Sequence, residues 1–253
     1  MIMGKTFSER KELILEALAE DSSVSVADLA KRMGVSVVTV RTDLAVLEEE
    51  GVLVRTHGGA MPAFHPQILV RMRQDKDCKS AIAKAAAEKI QDGETVIISA
   101  GTTTALIAKY LLGRRNVHIV TNNTLLLTYA RMNPQLRVTL VGGEFRPSEE
   151  GLVGPMALQA LDTFHVSKAF IGIDGASVKQ GFTANSVESA DLVRKMADQA
   201  DQVFAISDSS KFGKPGFARI LQFNGVDALV TDKELKKEFE DKLTEADVRI
   251  VKA

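Results

Sequence analysis

The sequence predicts an α/β protein in two parts. A small helical unit with a short β-wing occupies residues 1–61, and a mostly parallel sheet covered by helices occupies residues 81–253, with a linker at 62–80 between them. Two observations carry this. In the C-terminal part the apolar runs "TVIIS", "VHIVT", "VTLVG", "KAFIGI", "QVFAIS" and "DALVT" alternate with amphipathic stretches such as "CKSAIAKAAAEKIQ", "TALIAKYLL", "ESADLVRKMADQA" and "KELKKEFEDKLTE". Strands alternating with helices of that length predict parallel strands joined by helical crossovers. In the first sixty residues the apolar spacing is helical, in three short segments each opened by a serine or threonine.

Those three segments are justified one by one. "TFSERKELILEALAE" opens with Thr6 and Glu9 in capping-box spacing and sets Ile14, Ala17 and Leu18 on one face. "SVADLAKRM" repeats the device with Ser25 and Asp28, turns Val26, Leu29 and Ala30 inward and ends at Gly34. After the short turn "MGVS", Ser36 caps a third helix that runs to Glu50 and stops at Gly51, with Val40, Leu44 and Leu47 on the inner stripe. "VLVRTHGGA" then reads as an extended segment ending in a double glycine, which suits a small β-wing. Residues 62–80 contain Pro62 and Pro66 without clear periodicity, the composition of a linker.

The bulk composition limits what the chain can do. At 253 residues, 45% hydrophobic and 26% charged, it is long enough for one large or two smaller soluble domains. The start "MIMGKTFSERKE" has no apolar leader core, and no run approaches the ~18 apolar residues of a membrane span, so a cytoplasmic location is expected. The single cysteine, Cys78, allows no internal disulfide, and the four histidines have no metal-ligand spacing, so neither a metal nor another cofactor is expected. A formal net charge of −1 gives no whole-molecule field for nucleic acid. Binding of that kind must come from a local face.

The third helix offers one. Two helices joined by a glycine turn have the outline of a helix-turn-helix. With the inner stripe fixed, the 3.6-residue period turns Val38, Thr42 and Ala45 outward, flanked by Thr39 and Arg41. Small residues allow close entry into a major groove, and Arg41 reaches a phosphate or a guanine edge. Ser36 and the free amides at the helix start suit a phosphate. Residues 1–61 carry seven basic and ten acidic groups, which fits a plain three-helix bundle with a solvated face equally well. The basic groups, however, gather where DNA would lie: Arg41, Arg55, His57, Lys31 and Arg32 sit at the helix start, on the preceding helix or in the wing, whereas Glu48–Glu50 lie at the far end.

In a parallel sheet the ligand sits at the carboxyl ends of the strands. "SAGTTTA" follows the first strand: Gly101 permits close backbone approach, and Thr102, Thr103 and Thr104 supply hydroxyls at a helix start that favours an anion, although threonines there are also ordinary caps. "VTNN" places Asn122 and Asn123 after the second strand, where amides suit sugar hydroxyls and equally cap the next helix. "GIDGAS" brings Asp174 and Gly175, and "ISDSSKFG" brings Asp208, Ser210 and Lys211. Lys211, beside strand-end hydroxyls, is the cation expected at a phosphate.

At this point a resemblance becomes specific. "VSVVTVRTDLAVLEEEGVLVRTHGGA" resembles the N-terminal signature of the DeoR family of bacterial transcriptional regulators, whose recognition helix reads close to "TIRRDL" before "RTHGGA"; the second arginine of that pattern is Thr42 here. The loops above, with "VGGEFR" and "GFTANSVESADLVRKM", are similar in order and spacing to the DeoR-type C-terminal sensor, over nearly the whole chain except the last twenty residues. The family's aspartate two positions before the glycine of "GTTT" is Ser99 here. The resemblance implies a winged helix-turn-helix reader joined to a sensor domain similar in fold to ribose-5-phosphate isomerase. It also implies a phosphorylated sugar effector, with Gly101–Thr104 and Lys211 near phosphate and Asn122, Asp174 and Glu188 near the sugar.

The function expected is therefore a DNA-binding transcriptional regulator, a repressor of sugar-metabolism genes that binds double-stranded operator DNA as a dimer or tetramer and answers to a sugar phosphate. Two rival readings are weaker. An isomerase-like enzyme using Asp174 and Glu188 as acid and base has no need of the N-terminal reader. A dinucleotide-binding protein would need Gly-x-Gly-x-x-Gly after its first strand, which the chain lacks.

Overall fold

The computed structural model describes residues 6–21, 23–49, 51–56 and 59–253, and the chain divides into two compact units, Met1–Arg73 and Gln74–Ala253. In the first, α1 (Phe7–Glu20), α2 (Val26–Met33) and α3 (Val37–Glu49) are followed by the strands β1 (Leu53–Thr56) and β2 (Gly59–Pro62) and by α4 (Pro66–Arg73). The predicted caps form. Thr6 and Glu9 close a reciprocal capping box, and the Ser25 side chain accepts from the Asp28 amide. Gly34 and Gly51 both take left-handed backbone (φ 68° and 69°), which a glycine adopts at no steric cost. Ile14, Leu18, Leu29, Val40, Leu44, Leu47 and Leu53 pack into one core. β1 and β2 pair antiparallel as the wing, with Thr56 opposite Gly59.

Residues 62–80 carry helical structure where the prolines suggest an irregular segment. Pro66 is the first residue of α4, where its missing N–H has no helical partner to lose and its fixed φ favours helix. The backbone carbonyl of His65 accepts from the amides of Ile68 and Leu69. The next helix, α5 (Lys76–Ala87), begins before residue 81. The division between units falls at 73/74, inside the expected linker.

The second unit continues with β3 (Thr95–Ile98), α6 (Thr102–Tyr110), β4 (Val117–Thr121), α7 (Leu126–Ala130) and β5 (Leu136–Leu140). A hairpin of β6 (Glu144–Arg146) and β7 (Gly151–Val153) leads to α8 (Pro155–Leu161) and β8 (Val166–Gly172). Then come β9 (Gly175–Ser177), β10 (Gly181–Ala184), α9 (Val187–Asp198), β11 (Ala200–Ile206), β12 (Ala218–Leu221), β13 (Ala228–Thr231), α10 (Lys237–Glu245) and β14 (Arg249–Lys252). Seven strands form one sheet in the order β14-β13-β11-β8-β3-β4-β5, and every pair in it is parallel. All six apolar runs became strands of this sheet. β14 at one edge, and a separate antiparallel sheet β12-β10-β9, were not foreseen. The central strands are buried on both faces, with Val96, Ile97, Ile98, Ala169, Phe170 and Ile171 fully enclosed.

Candidate functional site

The outer face of α3 follows the period, except that Ala45 is half-buried. Val40, Leu44 and Leu47 are fully buried, Val38 is 72% exposed, and Arg41 and Thr42 are exposed. Ser36 Oγ accepts from the Thr39 amide at 3.0 Å and lies 2.9 Å from the Thr39 hydroxyl, so these two side chains fix the helix start. The Thr42 hydroxyl donates back to the Val38 carbonyl at 3.1 Å, a common use of threonine inside a helix. Among the described residues no acid pairs with Arg41. Arg55 stands exposed on β1, its amide turned to Glu48 at 3.4 Å. His57 lies outside the described residues.

What the sequence pattern did not reveal is how α3 is held. Asp43, 3% exposed on its inner face, receives both Arg10 Nε (2.6 Å) and Arg10 Nη2 (2.9 Å) from α1. This forked pair fixes helix rotation as apolar contacts cannot. Asp43 raises the Arg10 pKa through that hydrogen bond, against a smaller opposing effect of burial.

At the carboxyl edge of the large sheet the predicted residues separate into two groups. Thr104, 1% exposed, donates to the Ser99 carbonyl at 2.8 Å. Asn123, fully buried, donates to the carbonyls of Ser99 (3.2 Å) and Gly101 (3.0 Å), and its Oδ1 accepts from the Leu126 amide. Asn122 accepts from the Ala100 amide at 2.7 Å and donates to the Leu152 carbonyl at 3.0 Å. Ser99 Oγ accepts from the Gly172 amide at 2.8 Å, joining the ends of β3 and β8. These side chains hold the loop through hydrogen bonds to its own backbone. Gly175 is likewise a packing position: a Cβ there would stand 2.0 Å from the Lys214 carbonyl oxygen. Asp208, 5% exposed, caps the 3-10 turn Ser209–Lys211 through the Ser210 amide.

The remaining group is accessible. Gly101 (φ 146°) is the N-cap of α6 and supplies no side-chain cap. The amides of Thr102 and Thr103 find no acceptor among the described residues, and both side chains are half-buried. Such a helix start attracts an anion. Asp174 accepts from the Asn185 amide at 2.9 Å. Glu188 is exposed on the first turn of α9, 3.7 Å from Arg146 of the β6–β7 hairpin. Lys211 sits after β11. Since β8 lies between β3 and β11, the threonine loop and the Lys211 loop follow strands two spacings, about 10 Å, apart rather than adjacent strands.

Asp232 and Cys78 also meet at this edge, an arrangement that no sequence motif marks. Asp232, after β13, accepts from the Ser209 amide (2.7 Å), the Glu234 amide (2.8 Å) and Cys78 Sγ (3.4 Å). Burial pushes its carboxyl up, but these hydrogen bonds outweigh it and hold it below the ordinary range. Burial and then the Asp232 charge push the Cys78 thiol up to about 12. Together with Asp75 and Ser209–Ser210 they line a cavity of about 370 Å³. Lys79 is buried nearby on α5, its pKa lowered by desolvation against the pull of Asp208. No group of three or more metal-ligating side chains occurs among the described residues, and no helix there is long and apolar enough to cross a membrane.

Comparison with known proteins agrees with this two-part build. The profile of the DeoR-like helix-turn-helix domain matches residues 10–63, and that of the DeoR C-terminal sensor domain matches residues 74–233. The chain is 32% identical to the HTH-type transcriptional repressor GlcR of Bacillus subtilis, over 96% of its own length and 95% of the relative's. It is 30% identical to the HTH-type transcriptional regulator GlpR of Haloferax volcanii, over 96% and 97%. Among solved structures, ribose 5-phosphate isomerase A of Methanocaldococcus jannaschii covers 56% of each chain at 18% identity with a TM-score of 0.41, a remote and partial likeness. The full-length relatives are transcriptional regulators, not enzymes. The chain therefore belongs to the DeoR family of transcriptional regulators, a helix-turn-helix unit that binds DNA joined to a sensor unit that binds a small-molecule effector.

Proposed function

We propose that the chain represses genes of sugar metabolism from the cytoplasm, as a homo-oligomer whose paired readers hold operator half-sites and whose sensor answers to a phosphorylated sugar. The observation that carries the effector reading is the uncapped start of α6. Gly101 leaves the Thr102 and Thr103 amides and hydroxyls open to a phosphate, and Lys211 supplies a cation from the far side of β8. The sugar then lies over the end of β8, toward Asp174 and Glu188. Asn122, Asn123, Thr104, Gly175 and Asp208 act as the frame of that site. A relative named as a transcriptional repressor, GlcR, supports the repressor side.

On the DNA, Val38, Thr39, Arg41 and Thr42 face the groove, Ser36 and the helix start hold a phosphate, and Arg55 approaches from the wing, with His57 a further DNA contact on the sequence reading alone. An N-terminal unit with more acidic than basic groups binds weakly alone. Paired half-sites on an oligomer offset that weakness. The test is a thermal-shift screen of the intact chain against phosphosugars and their unphosphorylated parents. A cognate ligand at ~100 times its Kd adds about 2.7 kcal/mol. Stabilisation by phosphosugars alone, accompanied by a change in operator affinity, is the expected result; equal stabilisation by the parent sugars would refute the phosphate assignment.

A further inference from the structure

Neither operator reading nor phosphate binding uses Lys79. It lies on α5 with 6% of its surface exposed, and its Nζ donates to the carbonyl oxygen of Gln74 at 2.7 Å. Gln74 follows Arg73 directly, so it is the first residue of the sensor unit. Between Gln74 and α5, Asp75 holds left-handed backbone (φ 50°, ψ 41°), a conformation that a non-glycine residue keeps when its surroundings impose it. The loop after β11 that carries Asp208 and Lys211 lies against this end of α5: Cys78, next to Lys79, donates to Asp232, which also accepts from the Ser209 amide, and Asp75 and Asp208 line one cavity. A buried ammonium thus holds the residue where the chain enters the sensor, on the helix that packs beside the loop carrying Lys211.

We infer that Lys79 is a positioning residue that passes the state of the Lys211 loop to the Gln74–Asp75 entry of the sensor unit. The inference rests on the Lys211 loop being part of the effector site. The physics is electrostatic. Lys211 and Lys79 carry like charge, and an anion bound at Lys211 cancels that repulsion. Lys79 is then held more firmly by Asp208 and by the Gln74 carbonyl, and because it is buried, little solvent screens the change. The entry segment tightens when the site is filled and loosens when it empties. Coupling of this kind requires only that the two states differ in one interaction.

Hydrogen exchange on the intact chain without any effector tests this. Lys211→Gln removes the charge that a bound anion would cancel, so it stands in for occupancy. Exchange in the peptide 74–83 should slow about two- to five-fold in a chain that retains Lys79, the range of a single modest charge interaction. In the Lys79→Met background the same change should have no effect there, while Lys79→Arg should restore it. If Lys79→Met does not fold, Lys79→Gln, which keeps a donor without the charge, gives the same comparison. Equal slowing in both backgrounds, or none in either, would overturn the inference; a purely structural lysine predicts the first. Operator release by glucose 6-phosphate, fructose 6-phosphate and ribose 5-phosphate is followed separately. A wild-type chain that ignores all three bears on the phosphosugar reading, and the exchange result decides the role of Lys79 regardless.

Discussion

Asn123→Ala separates a side chain that braces the effector loop from one that touches the effector. Asn123 is fully buried, donates to the carbonyls of Ser99 and Gly101, and accepts from the Leu126 amide. The two carbonyls retain other donors: Thr104 reaches both, and the Ala105 amide reaches Gly101. The Leu126 amide does not, so truncation leaves a donor stranded in the interior. Two net hydrogen bonds at about 1 kcal/mol each, with part of the 1–3 kcal/mol cost of the stranded N–H, give a loss of about 2–4 kcal/mol. For a unit of this size that lowers the melting temperature by about 4–16 °C. Differential scanning calorimetry of the ligand-free protein reads it directly. A side chain that contacts a sugar instead predicts unchanged melting without ligand and weakened effector binding. Melting within about 1 °C of wild type would refute the bracing argument.

Arg41→Ala should weaken operator binding and, where the guanidinium meets a phosphate, lower the salt slope by about one; fluorescence anisotropy at several salt concentrations measures both. Asp43→Asn breaks the forked pair with Arg10, so the N-terminal unit should melt earlier and bind operator less well, whereas a decorative pair would leave both unchanged. Lys211→Ala should weaken the response to the cognate phosphosugar roughly ten- to a hundred-fold, since a charge-assisted hydrogen bond contributes about 1.5–3 kcal/mol; superimposable titrations would remove Lys211 from the site. Cys78, pushed up to about 12, should alkylate with iodoacetamide at pH 8 roughly ten- to a hundredfold more slowly in the folded than in the denatured chain, the smaller thiolate fraction being partly offset by greater nucleophilicity. Because the folded state holds that proton more tightly, the thiol's contribution to stability is intact below pH 9 and falls as pH rises toward 12.

The elements legible in the sequence are those written locally. Thr6, Ser25 and Ser36 cap their helices, Gly34 and Gly51 end them, and the stripe Val40, Leu44, Leu47 fixes which face of α3 is outward, because capping and helical period depend only on residues a few positions apart. Apolar runs likewise identify the buried parallel strands. What needed the tertiary structure involves distant partners. Strand order placed β8 between the threonine loop and Lys211, and no local pattern encodes order. No local pattern marks Asp43 as buried, because its partner Arg10 lies thirty-three positions away. Pro66 read as a breaker and proved to be the opening of α4, since a proline at the first helical position and one in a linker look alike without the neighbours. Asn122, Asn123 and Thr104 have the chemistry to bind a sugar, but a polar side chain at a strand end serves whichever partner is nearest. Here the nearest partners are the loop's own carbonyls and amides, which once buried must be satisfied by some side chain.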